Sequence, residues 1–595
     1  MCGIAGIVAY DNLAPPVDRD ELLRVREAMH TRGPDGAGLW ISTDQRTGLA
    51  HRRLAIIDLS EAGAQPMATG DGRLHVTFNG EIYNYRALKA ELETKGYRFH
   101  SNSDTEVLLH LYADRGADMV HALRGMYAFA IWDERDKDLF LARDPFGIKP
   151  LYYADNGKTL RFASQVKALL KGGSIDTAPE PAGTVGFLVW GSVPEPYTLY
   201  RGIRSLPAGS YMRVNRTGRI STTRFFDVGD EFRKAQDAPA STATQAREIL
   251  KDALADTVRH HMVSDVPVGL FLSAGLDSTT VAGLASMQGN STLNAVTLGF
   301  REFEGTSQNE VPIAAAVARQ FGISHQGHWI TREDFESELA HLLDAMDQPS
   351  IDGVNTYFVS RAAAAAGMKV ALSGLGGDEL FGGYPSYQQV PAAVQRLRLA
   401  RPFPQAGRLI RRVLAPVLGA VTSPKYAGVV EYGTTYGGAY LLRRALFMPW
   451  ELDAILDRPT VTAGLETLGI LEHLEAAIRG LREPRPRVAA LELNWYMRNQ
   501  LLRDADWAGM AHSLEIRVPL VDVQLFSALA PLMVSDTPPT KHDLAAVLSD
   551  PLPALVTTRP KTGFVTPLKE WASVATGGGS GERGLRSWAK HVLAT

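Results

Sequence analysis

The rhythm of hydrophobic positions divides the chain in two. From Gly3 to about residue 210, apolar residues come in short runs: Gly3–Ala9, Leu74–Asn79, Tyr127–Trp132, Leu139–Ala142 and Leu160–Ala163. Runs of this length read as strands. Turn residues separate them, at Asp11-Asn12, Gly33-Pro34, Gly70-Asp71-Gly72 and Asn156-Gly157. Helical spacing appears at Asp20–His30, Tyr85–Lys95 and Thr105–Arg115. Strands grouped with segregated helices predict an α+β layer fold. A proline-marked passage, Pro179–Pro207, and a polar stretch, Asp227–Ser241, predict the linker.

Beyond Ser241 the pattern changes. A helical segment, Gln245–His261, precedes an apolar strand, Val266–Leu272, then a small-residue turn and a second helical segment, Thr279–Met287. Strand-like runs recur at Leu293–Gly299 and Lys369–Leu372. This alternation predicts a parallel sheet covered by helices on both faces. From about Pro385 onward the chain reads as mostly helical, ending in a glycine-rich tail element at Gly577–Gly581. No repeat of fixed period is present.

Composition narrows the class. Of 595 residues, 45% are apolar and 21% charged, an ordinary globular balance. Lys and Arg number 62 against 65 Asp and Glu, a formal net charge of −3. That near-neutrality argues against a surface that tracks nucleic acid. One cysteine excludes an intramolecular disulfide and a Cys-rich metal site. No apolar run reaches the ~18 residues of a membrane span. No Lys or Arg precedes the N-terminal apolar stretch, so it does not read as a signal peptide. A soluble cytoplasmic protein with small-molecule partners is expected, with no nucleic-acid or membrane partner; a homodimer is left open.

The single cysteine follows the initiator Met. Removal of Met1 would free an α-amino group with a pKa near 7.7–8 beside the thiol, which makes a self-contained activated nucleophile. Alone, Cys2 reads equally well as a small buried residue at a strand start. The motifs that follow tip the balance: Cys2-Gly3-Ile4-Ala5-Gly6-Ile7, Arg32-Gly33-Pro34-Asp35, His51-Arg52-Arg53-Leu54, Asn79-Gly80-Glu81-Ile82-Tyr83-Asn84, Ser103-Asp104-Thr105-Glu106 and Arg143-Asp144-Pro145-Phe146-Gly147. In this order they resemble the glutaminase domain of the N-terminal-nucleophile glutamine amidotransferases. The resemblance implies Cys2 as nucleophile and Asn79 and Gly80 as oxyanion donors. It implies Arg53 on the glutamine carboxylate and Glu81 and Asp104 on its ammonium, with Asn79 also contacting the glutamine. A surface ion pair for Arg53 and a helix cap for Asp104 are the competing readings.

In the second half, Ser273-Ala274-Gly275-Leu276-Asp277-Ser278 lies between a strand and a helix, where small residues let backbone N–H groups converge on an anion. It is not a Walker A loop. The Gly-Lys-Thr at 157–159 lacks the upstream glycine, and the Gly-x-Gly-x-x-Gly at Gly579–Gly584 has no strand before it. The loop resembles the pyrophosphate motif of adenylating ATP pyrophosphatases. Ser373-Gly374-Leu375-Gly376-Gly377-Asp378-Glu379, the stretch Leu501–Asp522 and Arg559-Pro560-Lys561-Thr562-Gly563-Phe564 extend the match. Over nearly its full length the chain resembles the glutamine-hydrolysing asparagine synthetase family.

That resemblance implies a glutaminase domain at 2–210, a linker at 211–240, an ATP-pyrophosphatase domain at 241–575 and a tail at 576–595. It implies ATP-driven amidation of a carboxylate, aspartate in the first instance, through an acyl-adenylate. Leu272, Ser273, Gly275, Asp277, Ser278, Leu298, Ser373 and Gly374 would contact ATP. Asp277 and Asp378 would reach Mg²⁺, and Lys561 would stabilise phosphate charge. A helix-terminal acidic pair for Asp378-Glu379 and a solvated lysine for Lys561 are the plainer readings. An adenylating enzyme acting on tRNA, or a non-catalytic scaffold, fits the charge balance and the intact motifs less well.

Three positions depart from the family pattern. Ala274 stands for a glycine, which is harmless if its φ is negative. Gln165 stands for a Glu. Leu375 stands between two glycines where the family carries an acid thought to assist proton transfer, and leucine cannot. Asp352 or Glu379 would then serve, or the acceptor is a different carboxylate, such as a uronic acid. Asp352 reads equally as the cap of the helix that follows it. Arg396–Arg412 holds six arginines among Leu, Ile and Val; a solvated helical face is the expectation, an anionic acceptor or membrane surface the alternative.

Overall fold

The computed structural model describes residues 2–238, 241–289, 293–421, 423–559, 567, 571 and 584–595. Lys561 and Gly577–Gly581 lie outside the described residues. The N-terminal part folds as four layers. One antiparallel sheet runs, edge to edge, Arg204–Ser205, Tyr152–Asp155, Thr159–Ala163, Gly3–Ala9, Thr47–Arg53, Gly36–Ile41. The other runs Ile220–Arg224, Ser210–Val214, Asp138–Arg143, Gly125–Asp133, Leu74–Ile82, Met67–Ala68.

Alternation along Gly125–Asp133 shows why the sheets stack. Ala128, Ala130 and Trp132 pack with Ile4, Val8 and Phe162 between the sheets. Tyr127, Phe129 and Ile131 point the opposite way, into a cluster with Leu88, Leu92, Leu108 and Leu111 of the helices Tyr85–Thr94 and Asp104–Arg115. Both faces of one strand are therefore core. The other sheet is covered on its outer side by Arg19–Glu27 and Val166–Gly172, through Leu22, Val25 and Leu169.

The second half carries a parallel sheet in the order Ser324–Ile330, Asn294–Phe300, Val268–Phe271, Val370–Leu372, Glu515–Arg517. The first of these in the chain, Val268–Phe271, is central, and later strands are added on one side and then the other. A crevice opens outside the strand C-termini at such a reversal point. Helices dominate the chain after Gly377. The architecture is thus the expected α+β fold of stacked antiparallel sheets with helices, joined to an α/β parallel-sheet domain with a helical C-terminal part.

Two departures from the sequence pattern have physical causes. The proline-marked passage contains a buried helix, Pro181–Trp190, with its proline at the first turn, where a missing N–H costs nothing. The stretch expected as linker is folded over its described residues 211–238: Ser210–Val214 and Ile220–Arg224 complete the second sheet, and Val228–Ala235 is a helix.

Buried charge joins the two halves. Arg32, fully buried, donates bidentately to Asp506 at 2.7 and 3.0 Å, and its Nε donates to the Cys2 carbonyl at 3.0 Å. Arg124 does the same to Asp522 at 2.9 and 3.0 Å. Removing one partner of such a pair strands the other charge at a cost of about 3–5 kcal/mol. Asp506→Ala is therefore expected to lower the urea midpoint of unfolding by that equivalent, followed by circular dichroism.

Candidate active sites

The first site sits where Gly3–Ala9 meets Leu74–Ile82. Cys2 is buried, and its backbone N–H donates to Asn79 Oδ1 at 2.9 Å. Its Sγ lies 4.0 Å from the Leu54 carbonyl, and burial pushes the thiol pKa up. Accepting from Cys2 fixes the Asn79 amide plane. That leaves Nδ2 buried with no hydrogen-bond partner among the described residues. A donor in that state is costly unless something accepts from it. Gly80 follows with φ of 151°, and a Cβ there would collide with the Met126 carbonyl. Only glycine lets the strand run this close while its neighbour Asn79 faces Cys2.

Glu81 and Asp104 are both buried. Asp104 is the first residue of its helix; Ser103, not Asp104, caps that helix by accepting from Thr105 N. Asp104 instead accepts from Ile82 N at 2.9 Å. Burial, with Glu515 nearby, lifts its pKa to about 7. Glu81 is pushed well up by burial and by Glu515, against the pull of Arg517, whose guanidinium lies 3.3 Å from Glu81 Oε2. Arg53 makes no surface ion pair: it donates to the carbonyls of Ser60, at 2.8 Å, and Asp58, clipping the loop that carries Leu54. The structure thus brings Cys2, Asn79, Gly80, Glu81 and Asp104 together, with Arg53 at the end of the strand Thr47–Arg53 beside Leu54.

The second site is the crevice of the parallel sheet. One cleft is lined by Leu272, Ser273, Gly275, Asp277, Ser278, Leu298, Ser373 and Gly374, together with Asn355, Thr356 and Leu375. Gly275 begins the helix Leu276–Ser286 with no side-chain cap, so its first N–H groups stay open to a ligand. Ser273 Oγ and Ser278 Oγ are 2.7 Å apart and hold the loop closed on itself. Ala274 is buried and has no positive φ, and its N–H donates to Glu310.

Asp277 and Asp378 face each other across Lys541, whose ammonium bonds to Asp277 and lies 2.8 Å from Asp378. Lys541 was not singled out from sequence: it sits in an ordinary polar stretch, Thr540–Asp543, and only the fold returns it to the sheet. Gln165 opens the helix Val166–Gly172, whose first N–H groups donate to Asp347 of the other half; it stands at the domain contact.

Asp352 does not cap the following helix. Gly353, at φ of 85°, occupies that position, and Asp352 accepts only from the Gly353 N–H, at 3.0 Å. Burial raises its pKa; burial together with Asp352 raises that of Asp504 to about 8. Glu379 is fully buried. Tyr384 donates to its Oε1 at 2.9 Å, and Oε2 has no hydrogen-bond partner among the described residues.

Comparison with known proteins agrees with this geometry. Residues 1–226 match the family described as "Glutamine amidotransferase domain", and residues 249–589 match "Asparagine synthase". Glutamine-hydrolyzing asparagine synthetase 1 of Bacillus subtilis is 32% identical over 603 residues, covering 100% of this chain and 90% of that protein. The chain belongs to the glutamine-hydrolysing asparagine synthetase family. It is a carbon–nitrogen ligase of that type, with glutamine as amide donor. Asparagine synthetase B of Escherichia coli K12 is 33% identical over 408 residues, 66% of each chain. "Amidase chry2" of Gibberella zeae is 31% identical over 417 residues, 65% of this chain and 60% of that one.

The Asp104 environment has a thermodynamic consequence. A carboxyl at about 7 in the folded state, against about 3.9 unfolded, holds its proton more tightly when folded. Stability contributed by the protonated group is complete below about pH 4 and declines as pH rises towards 7. Asp104→Asn removes that dependence. The variant should match wild type near pH 4 and exceed it at pH 8 by an amount on the order of 4 kcal/mol, measured from urea midpoints at the two pH values.

Proposed function

We propose that this enzyme converts aspartate to asparagine, releasing glutamate, AMP and pyrophosphate. The observation that carries the reading is the orphaned Asn79 amide beside a buried thiol. It is joined in one chain to a small-residue loop at the reversal point of a parallel sheet.

Once Met1 is removed, the Cys2 amine accepts the thiol proton and Sγ attacks the carboxamide carbon of glutamine. The developing oxyanion accepts from Asn79 Nδ2 and the Gly80 N–H, donors already in place and so stabilising without reorganisation. Collapse expels ammonia and leaves a thioester, which water cleaves to glutamate. Glu81 and Asp104, shielded from water, gain a counter-charge when the glutamine ammonium arrives, and Arg53 takes the carboxylate.

In the cleft, the acceptor carboxylate attacks the α-phosphate of ATP, and the loop N–H groups and Ser273 and Ser278 hold the departing pyrophosphate. Asp277 and Asp378 offer hard oxygen ligands for Mg²⁺, which when bound neutralises phosphate charge. The fit is supported by the cationic Lys541 ammonium that these two carboxylates already accommodate. Lys561 adds a positive charge there by resemblance. Ammonia then attacks the acyl carbon and AMP leaves.

Leu375 lines this cleft and supplies no base. We assign the proton of the attacking ammonia to Glu379, whose buried Oε2 has no other partner. A second reading keeps the machinery and changes the acceptor to another carboxylate; Leu375 favours it.

Cys2→Ala should abolish glutamine-dependent synthesis and leave ammonia-dependent synthesis intact, with product measured by amino-acid analysis; unchanged glutaminase activity would overturn the assignment. Aspartate-dependent pyrophosphate release decides between acceptors, since robust turnover with aspartate removes the second reading. Glu379→Gln should lower ammonia-dependent kcat by about 10²–10⁴-fold with ATP binding retained. If Asp352→Asn shows that loss instead, the proton passes through Asp352.

A further inference from the structure

The helix Pro404–Val421 is mounted with its apolar face outward. At 100° per residue, Phe403, Leu409, Ile410, Val413 and Leu414 fall within one arc of about 140°. In an ordinary surface helix that arc would be buried. Here Phe403 is 65% exposed, Leu409 64% and Val413 65%, and Ile410 and Leu414 are exposed as well. Leu399, in the turn before the helix, is 80% exposed. The helix instead meets the protein through a narrow side next to the Leu414 edge of the arc. Gly407 lies against the backbone of Glu431, and Arg411 donates to Glu431 at 2.6 Å and stacks over Trp450 at 4.5 Å.

The charge around this face has one sign. Residues 385–421 hold six arginines, Arg396, Arg398, Arg401, Arg408, Arg411 and Arg412, and no Asp or Glu. Glu431 pairs with Arg411 and, at 3.5 Å, with Arg408; Arg396, Arg398, Arg401 and Arg412 have no acidic partner within ion-pair distance among the described residues. Arg412 flanks the apolar arc on one side and Arg411 on the other, with Arg408 on the polar face between them.

We propose that this face is a peripheral membrane-binding surface that takes anionic lipid headgroups. The apolar arc would sink into the headgroup–acyl boundary while the arginines engage the lipid phosphates. No helix among the described residues is long and apolar enough to cross a membrane, so the contact lies in the plane of the surface. A second copy of the chain is a poorer occupant, because a twofold contact on this face would set the same arginines against each other. An acidic lipid surface satisfies the apolar arc and the charge together. The reading is independent of the identity of the acceptor.

The test uses the full chain and sedimentation with sucrose-loaded vesicles, one set of phosphatidylcholine and one containing about a third phosphatidylglycerol. Binding to the anionic set, weak binding to the neutral set, and release by 0.5 M salt are expected. Arg408→Gln with Arg412→Gln should weaken binding about five-fold per arginine. Leu409→Gln with Val413→Gln should weaken it at least ten-fold. All four positions are exposed, and the circular dichroism spectrum and urea midpoint of both variants should equal those of wild type, which reports that they fold. The proposal is overturned if wild type binds neither set or binds both equally, or if the variants bind as wild type does. It is also overturned if sedimentation velocity without lipid shows a dimer that Leu409→Gln with Val413→Gln dissolves, because a second copy then covers the face.

Discussion

At the centre of the domain contact lies a buried guanidinium, that of Arg517. It has no exposure to water and sits at the end of the last strand of the parallel sheet. Its Nε donates to Glu515 at 2.6 Å, and one terminal nitrogen donates to the carbonyls of His261 and Val263, at 2.7 and 2.6 Å. The other lies 3.3 Å from Glu81, across the boundary in the glutaminase half. A buried charge survives only where hydrogen bonds and opposite charge replace its water. Burial works against the charge on Glu515, yet the positive groups around it, Arg517 and Lys149 among them, bring its pKa down to about 2. Glu81 goes the other way. One arginine cannot serve two buried carboxylates equally, so the nearer takes the charge. The second is left hungry for a cation, which suits a residue proposed to receive an ammonium.

Much of the fold could be read in the chain because its strands are core on both faces. Tyr127–Trp132 and Leu139–Ala142 are unbroken apolar runs, and the observed strands Gly125–Asp133 and Asp138–Arg143 extend them by only a few residues. Glu515–Arg517 could not be read this way. Its two charged residues lie in a strand as buried as any other, and periodicity scores polarity without knowing that the partner of each charge arrives from another part of the chain. Ser324–Ile330 failed for the opposite reason: it is a mostly exposed edge strand with no apolar run to mark it.

The candidate sites divide along the same line. Residues within a contiguous motif were legible, because a strand–loop–helix places its own N–H groups. Asn79, Gly80 and the 273–278 loop are of this kind. Lys541, Arg32 and Asp506 were not, since each acts through a contact with a residue far along the chain. Asp352 shows a subtler failure. An acid before a helix suggests a cap, but Gly353 takes the left-handed position and leaves the carboxyl turned to Asp504, Arg444 and Tyr496.

The helix Arg503–Met510 joins the two sites in physical terms. Two residues apart on it, Asp504 accepts from Ser350, at 2.9 Å, and Asp506 accepts from Arg32. Ser350 in turn accepts from Asp352 N, and Arg32 holds the carbonyl of Cys2. Contiguity alone does not transmit anything. Buried charge changes the argument. Sliding this helix against the glutaminase half would pull Asp506 from Arg32 and leave both uncompensated, a penalty of about 3–5 kcal/mol. The cheap motions are those in which the Cys2 segment, the helix and the 350–353 loop move as one piece. The thiol proposed to release ammonia and the 350–353 loop are then held in fixed register, which is what the proposed delivery of ammonia from one half to the other requires.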